Sequence, residues 1–182
     1  GLIVLMSSTI AITGTVLHII SHALSKGLLF IVAGAVMHQT KKRDIRKMGN
    51  LANKMPFTAV SATVASLSIA GSPPFACFIS EVLIFIGASQ IIYLDTFYII
   101  PTILMLIATV LSLAYMLRFT MHVFLGRPKR DIPTEIATGK DVTKFDVSNW
   151  IKISFTILVI LILIVGLYPS LFTELIQTAK FG

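Results

Sequence analysis

The sequence predicts an all-α integral membrane protein with about four transmembrane helices, one of which is broken. Of the 182 residues, 55% are hydrophobic and only 13% are charged, and the mean hydropathy is +0.90. Soluble domains carry about 25% charged residues, so this composition indicates a multi-pass membrane protein. Apolar runs of spanning length recur between polar segments, and a Gly-Ser-Pro-Pro sequence interrupts one of them at residues 71–74.

The first full span is predicted at residues 15–37. At about 1.5 Å per residue this run reaches about 35 Å, slightly more than a hydrocarbon core of about 30 Å. A break is expected at Thr13-Gly14. Residues 1–13 are too few to cross a membrane, so we interpret them as a partial helix, either the end of a missing helix or a half-helix completed by a neighbour. Residues 14–182 are expected to form a single membrane domain.

Two more spans are predicted near the C-terminal end of the sequence. The run 98–123 has Pro101 in its first turns, where proline is tolerated. The run 150–171 has Trp150 and Tyr168 near its two ends, as in an aromatic belt at the membrane interfaces. Residues 172–182 are expected to form a short polar tail.

The apolar run 57–92 cannot be one regular helix. Pro73 and Pro74 remove backbone donors and restrict the preceding residue, so helical geometry must stop there. The halves on either side measure about 21 and 27 Å, which leaves two alternatives, one broken span or two short spans joined by a tight turn. One broken span places both basic loops on the same side, as the positive-inside rule requires, and it is the preferred topology.

The net charge of +7 does not indicate a nucleic-acid partner, because the basic residues are concentrated in loops. Eleven of the fifteen Lys and Arg residues lie in the segments 41–54 and 127–144. We therefore expect the loops 38–55 and 124–149 on the cytoplasmic side of the cell membrane and the C-terminus outside. Cys77 is the only cysteine, so an intrachain disulfide is excluded, and neither a metal nor a cofactor is expected.

Three ionisable residues in the first span form a candidate proton path. His18, His22 and Lys26 stand four residues apart, which places them along one helical face. A charged group at the centre of a membrane helix costs about 2.5 to 3.5 kcal/mol, so this face requires water or a polar partner. Histidine exchanges protons near neutral pH, which suits a hydrated proton chain. The alternative is that Lys26 forms only a structural ion pair between helices.

Glu81 is the fourth candidate on this path. It follows the helix break formed by Gly71, Ser72, Pro73 and Pro74. A broken helix exposes backbone groups at membrane depth, which is tolerated where they line a cavity, and ion sites often lie there. The alternative is a structural ion pair of Glu81 with Lys26 or with a partner subunit. Secondary candidates near the inner boundary, for which an interfacial position is the alternative, are His38, Arg118 and His122.

The order of several motifs resembles the second half of the antiporter-like proton-translocating subunits. These are the large membrane subunits of respiratory complex I, of membrane-bound hydrogenases and of multi-subunit, Mrp-like cation/proton antiporters. The resemblance covers about residues 14–89 and rests on HIISHALSKGLLF (18–30), RDI (43–45), MGNL (48–51), KMP (54–56) and LSIAGSPPF (67–75). From residue 98 onward it is limited to helix layout and to the neighbourhood of Tyr115, Arg118 and Gly126.

This resemblance implies a half-channel in which His18, His22 and Lys26 lie on a central hydrophilic axis and Glu81 ends the path toward the outer face. Family members have an earlier five-helix half that this sequence lacks. The chain is thus expected to be a fragment or a split subunit, with other membrane subunits as partners, one of them supplying the first half-channel. We expect no redox cofactor and no catalytic site of its own.

The favoured function is therefore translocation of protons, or exchange of sodium for protons, in an energy-converting membrane complex. A structural, non-conducting truncated homologue that packs against true pumping subunits is the main alternative. An independent secondary transporter is disfavoured by the missing first half.

Overall fold

A computed structural model describes residues 8–41, 43–45, 48–92, 96–126 and 146–181. These residues form helices and no strands, which confirms the predicted all-α class. The helices are α1 (Thr9–Thr40), α2 (Pro56–Ile69), α3 (Ala76–Ile92), α4 (Ile99–Thr120), α5 (Asn149–Leu167) and α6 (Pro169–Phe181). Short 3₁₀ turns lie at Leu51–Asn53 and Thr96–Tyr98, and a π-helical turn at Met121–Leu125 extends α4.

Three of these helices are long and apolar enough to cross a membrane within the described residues. They are α1, α4 together with its π-helical turn, and α5. Both α2 and α3 are apolar but shorter. This division agrees with the prediction that the run 57–92 contains two helical halves, neither of which spans by itself.

Helix α1 runs without interruption from Thr9, so the break expected at Thr13-Gly14 is wrong. Gly14 instead serves close packing. A Cβ atom on Gly14 would lie 2.8 Å from Leu83 Cβ and 2.9 Å from the backbone nitrogen of Ile84. Gly87 of α3 packs in the same way against Ala11 of α1. The two glycines let the backbones of α1 and α3 approach, and residues 1–7 lie outside the described part of the chain.

Helix α1 runs antiparallel to α2 and α3, which follow one another along it. At its start Ser8 Oγ donates to Gln90 Oε1 at 3.2 Å, and further along, Ser25 Oγ and Ser68 Oγ lie 2.7 Å apart. At its far end Gln39 Nε2 donates to the carbonyl of Asp146, whose side chain contacts the start of α2. Helices α2 and α3 therefore follow one another beside α1, as expected for one broken span, and they are together named the broken span. That the run 57–92 crosses the membrane once stays a prediction.

The break lies between Ile69 and Ala76, where the Gly-Ser-Pro-Pro sequence predicts it. Gly71 has a φ of 64°, a left-handed conformation that side chains rarely adopt. Its N–H donates to the Ser68 carbonyl, and the N–H of Ser72 donates to the Leu67 carbonyl. This pair of bonds is a Schellman motif, which satisfies carbonyls at the end of α2 before the chain turns into α3.

The two basic loops meet at one end of the bundle, here named the loop end. Asp146 is the residue that joins them: its Oδ2 accepts from the N–H of Phe57 at 3.1 Å and its Oδ1 from Thr58 Oγ1 at 2.7 Å. The 3₁₀ turn Leu51–Asn53 in the first loop also contacts the π-helical turn of α4. Residues 127–145 of the second loop lie outside the described residues.

The main core lies between α1, α2, α3 and α5, whereas α4 is largely exposed. Among the largest fully buried side chains are Leu17, Leu28, Met55, Phe124 and Phe155. None of the most apolar stretch of α4 is buried inside the described chain. Among the described helices, α4 contacts only α2 closely. Lipid or another protein must cover the remainder, as for any membrane-facing helix.

The end of the sequence differs from the expected polar tail. Helix α5 ends at Leu167 and a second helix, α6, begins at Pro169. Phe172 and Ile176, one turn apart on α6, pack against the main core, so this segment is amphipathic rather than simply polar. Gly166 brings the last turn of α5 against the helix break, because a Cβ there would overlap the Pro74 carbonyl oxygen.

Candidate functional site

His18, His22 and Lys26 form a stripe along α1, here named the ionisable stripe. It turns gradually from the inside of the bundle to its surface. His18 and His22 are half-buried, and Lys26 is exposed. Each step of four residues overshoots one helical turn by about 40°, so His18 and Lys26 differ by about 80° around the helix axis. Residues that share a face by sequence spacing thus reach different surroundings, and the stripe leads outward from α3.

The two histidines are direct neighbours. Their ring centroids are 5.7 Å apart and the ring planes are tilted by 30°. This separation is short enough for a single water molecule to join a nitrogen of one ring to a nitrogen of the other. The structure therefore brings His18 and His22 together as the sequence spacing suggests.

His18 also contacts the broken span. Its Nδ1 lies 2.9 Å from Ser80 Oγ, and Ser80 Oγ lies 2.8 Å from the carbonyl oxygen of Cys77. The hydroxyl has one hydrogen; when it is donated to that carbonyl, the N–H at Nδ1 of His18 donates to the hydroxyl oxygen. In the neutral ring this leaves Nε2 of His18 as the proton acceptor.

Glu81 follows Ser80 directly and turns toward the break. Its carboxylate lies over Gly71, at the position that a Cβ atom of residue 71 would occupy. The side chain is half-buried, in the first turns of α3. A glycine at position 71 thus serves twice, since it permits the left-handed backbone and leaves room for the carboxylate.

A second polar contact joins α1 to the broken span closer to the break. Ser25 and Ser68 are fully buried, and their hydroxyl oxygens are 2.7 Å apart. Ser68 Oγ also lies 4.0 Å from Cys77 Sγ. These hydroxyls lie between the ionisable stripe and the helix break, so the interface between α1 and the broken span is polar along much of its length.

Sequence reasoning missed Ser80, Ser25, Ser68 and the second role of Gly71. A signal for Ser25 was present, because Ser21 and Ser25 stand four apart on the face of α1 that is buried. No signal in the sequence alone pairs His18 with Ser80, since 62 residues separate them.

The remaining candidates do not join this group. Lys26 is exposed and Glu81 faces Gly71. The structural ion pair between Lys26 and Glu81, given above as the alternative, is therefore not formed among the described residues. His38, Arg118 and His122 are exposed toward the loop end of their helices. Within the described part of the chain, no three His, Cys, Asp or Glu side chains are grouped as metal ligands.

Comparison with known proteins assigns the family. Residues 1–112 match the family described as NADH:quinone oxidoreductase/Mrp antiporter, transmembrane. The chain belongs to this family. The match includes α1, the broken span and most of α4, so the ionisable stripe and Glu81 both lie within the part that matches the family.

Curated relatives of the family are sodium/proton antiporter subunits. The chain is 37% identical over 166 residues to Na(+)/H(+) antiporter subunit A1 of Staphylococcus saprophyticus, which covers 88% of the chain and 20% of the relative. It is 33% identical over 167 residues to the same subunit of Staphylococcus haemolyticus, covering 89% of the chain and 20% of the relative. The chain therefore spans about a fifth of the length of these relatives.

Solved structures of family complexes share the fold. A chain of the membrane-bound sulfane sulfur reductase, an archaeal respiratory membrane complex, superposes with a TM-score of 0.72 at 32% identity, covering 89% of this chain and 24% of that one. A chain of the Mrp complex from Dietzia sp. DQ12-45-1b gives a TM-score of 0.72 at 22% identity, covering 90% and 36%. The helix arrangement thus belongs to a fold found in membrane complexes.

Proposed function

We propose that the chain forms a half-channel for protons in a cation/proton antiporter-like membrane complex. The observation that carries this proposal is the contact between His18 and Ser80, because it connects the ionisable stripe of α1 to the residue beside Glu81. Support comes from the family, whose relatives are named Na(+)/H(+) antiporter subunits. Exchange of sodium for protons is the coupling that those names suggest for this chain.

The proposed route runs from Lys26 through His22 and His18 to Glu81. Lys26 receives the proton at the exposed face of α1 and passes it along the half-buried histidines. The hydrogen bond from Nδ1 to Ser80 orients the His18 ring, so that Nε2 is free to accept and release the proton. Water completes the steps between these groups, and Glu81 delivers the proton at the break toward the outer face.

A partner must cover the exposed part of the stripe. Lys26 lies in an apolar helix, where contact with lipid is costly, yet no side chain of the described residues pairs with it. We propose that a membrane subunit, or a further part of a longer chain, supplies the first half-channel at this face. The solved relatives in multi-subunit complexes support this arrangement.

We propose that the loop end faces the cytoplasm of a cell whose plasma membrane contains the complex. Both basic loops begin or end there, and the positive-inside rule assigns such loops to the cytoplasm. Glu81 and the C-terminal helix α6 are then nearer the outer face. Cysteine-labelling of the intact cell at Arg43→Cys and Glu174→Cys tests the orientation, since only the latter is expected to react with an impermeant reagent.

The experiment that tests transport replaces Lys26 and Glu81 in the assembled complex. Lys26→Ala and Glu81→Gln are expected to abolish growth at high sodium in cells that depend on the complex, while its subunits still assemble. Glu174→Gln is the matched control, since Glu174 is an exposed carboxylate on α6 and is not part of the stripe. Normal growth of both variants with intact assembly would instead support the structural, non-conducting function.

A further inference from the structure

A groove of about 370 Å³ opens at the loop end between α5 and the start of α2. Its lining residues are Phe57, Asn149, Lys152, Ile153, Thr156 and Ile157. Five of these residues lie on α5 at spacings of three and four, so they form one continuous face over about 12 Å. The groove is separate from the ionisable stripe and is not used by the proposed proton route.

The groove has a polar end and an apolar end. Asn149 and Lys152 stand in the first turn of α5, and Ile153 and Ile157 follow deeper along the same helix, each about half exposed. Thr156 adds little polarity, because its hydroxyl donates to the Lys152 carbonyl at 2.9 Å. A ligand that fits this groove is therefore polar and acidic at one end and apolar along the rest.

An aromatic wall closes the side formed by α2. The Phe57 ring stacks on Phe155 of α5, with ring centroids 6.4 Å apart and planes within 3° of parallel. Phe155 is fully buried, so this stack is anchored in the core and holds Phe57 beside the groove. The wall is rigid and apolar, which suits contact with a hydrocarbon chain.

The groove also lies at the depth where lipid headgroups meet the hydrocarbon. Trp150, next to Asn149, is 81% exposed at the start of the membrane-spanning helix α5, as tryptophan is at membrane interfaces. Lysine at such a position extends its ammonium group to the headgroups while its methylene groups stay on apolar surface. Its three N–H bonds donate and cannot accept, which matches the acceptor oxygens of a phosphate.

We propose that this groove binds an anionic phospholipid. The phosphate contacts the Lys152 ammonium group and the Asn149 amide, and the upper part of one acyl chain lies on Ile153 and Ile157 against Phe57. The negative charge of the lipid complements Lys152. Ser148 caps α5 without a side-chain hydrogen bond among the described residues, so the positive end of this helix lies at the same end of the groove. The lipid would then join α5 to the first turn of the broken span.

The test measures lipid binding by the purified, delipidated complex that contains this chain. Fluorescent phosphatidylglycerol, presented in micelles of a short-chain phosphatidylcholine, is titrated onto the wild type and onto Lys152→Gln. The variant is expected to bind about fivefold more weakly, the factor for one basic group near an anionic surface. Arg43→Gln, an exposed basic residue outside the groove, is the matched control and is expected to bind as the wild type does.

A second pair of variants tests the apolar half. Ile157→Trp fills the groove and is expected to abolish saturable binding, whereas Ile164→Trp, two turns deeper on α5, is expected to leave it unchanged. Equal binding by Lys152→Gln and the wild type would overturn the proposal. The proposal would also be overturned if glycerol phosphate competed as strongly as the lipid does. The same holds if a photo-crosslinker in place of Ile157 captured a partner subunit instead of lipid.

Discussion

Ser80 connects α1 to the broken span, since its hydroxyl oxygen lies 2.9 Å from His18 Nδ1 and 2.8 Å from the Cys77 carbonyl oxygen. We expect Ser80→Ala to slow transport severalfold, because the His18 ring loses the bond that fixes its orientation. Ser80→Thr, which keeps the hydroxyl, is expected to restore much of the rate. The measurement is the initial rate of sodium-driven proton movement in inverted membrane vesicles.

The matched control for this prediction is Ser89→Ala. Ser89 lies on the same helix and donates to the carbonyl three residues earlier, as Ser80 does, but it is exposed and contacts no histidine. Equal rates for Ser80→Ala and Ser89→Ala would show that the bond to His18 has no part in transport.

Gly71 determines where the Glu81 carboxylate lies. In Gly71→Ala the new methyl group must displace that carboxylate, and the left-handed backbone adds a strain of about 1–2 kcal/mol. We expect transport to fall by about tenfold or more, because small displacements of a reacting group have effects of this size. Rates in vesicles, normalised to the amount of assembled complex, provide the measurement.

Gly27→Ala provides the comparison for this substitution. A Cβ on Gly27 would meet nothing within 4 Å among the described residues, and alanine is a better helix former than glycine. The Gly27 variant is expected to transport normally. If Gly71→Ala also transported normally, the placement of Glu81 at the break would be irrelevant to its function.

At the scale of the helices, the start of α2 depends on a residue from another part of the chain. The preceding residue, Met55, makes no side-chain cap, and the Asp146 carboxylate takes that role for Phe57 and Thr58. Asp146→Ala is expected to reduce stability by about 1–3 kcal/mol, because the part-buried N–H of Phe57 and the buried hydroxyl of Thr58 lose their acceptor.

Thermal unfolding of the purified complex tests this role of Asp146. The expected order of midpoints is wild type, then Asp146→Asn, which keeps one acceptor oxygen, then Asp146→Ala. Asn53→Ala is the control, since Asn53 is exposed and bonds only to nearby Asn50 in the described structure. An unchanged midpoint for Asp146→Ala would contradict the capping role.

The sequence could predict the break because its causes are local. Gly71 and the two prolines act on their own backbone, so no knowledge of neighbouring helices is required. Thr13-Gly14 shows the limit of this reasoning: a glycine in an apolar run indicates either a break or close helix packing, and only the position of α3 decides for packing. Helix α6 differs from the predicted polar tail because its few apolar residues, among them Phe172 and Ile176, stand at helical spacing and pack on the core.

In the site, too, the features with local causes could be predicted from the sequence, whereas the contacts between helices could not. The spacing of His18, His22 and Lys26 gives their order along α1, and the break gives Glu81 its surroundings. The hydroxyl contacts depend on residues 43 and 62 positions apart, which no local pattern reveals. The turn of the stripe from half-buried His18 to exposed Lys26 follows from the 3.6-residue period, because a spacing of four residues exceeds one helical turn.

At the scale of the whole molecule, the described chain leaves much apolar surface uncovered, including most of α4 and the face of α1 that presents Lys26. It also spans only about a fifth of the length of its curated relatives. The uncovered apolar surface agrees with the solved relative in a membrane complex. The proposed half-channel would require a partner at the face that presents Lys26.

The most direct test of this account measures proton movement by the purified complex in sealed liposomes. A sodium gradient is imposed, and internal pH is followed with a trapped dye for the wild type, Glu81→Gln and Glu174→Gln. The account predicts a pH change for the wild type and for Glu174→Gln, and none for Glu81→Gln in equal amounts of intact complex. A pH change in Glu81→Gln at the wild-type rate would contradict it.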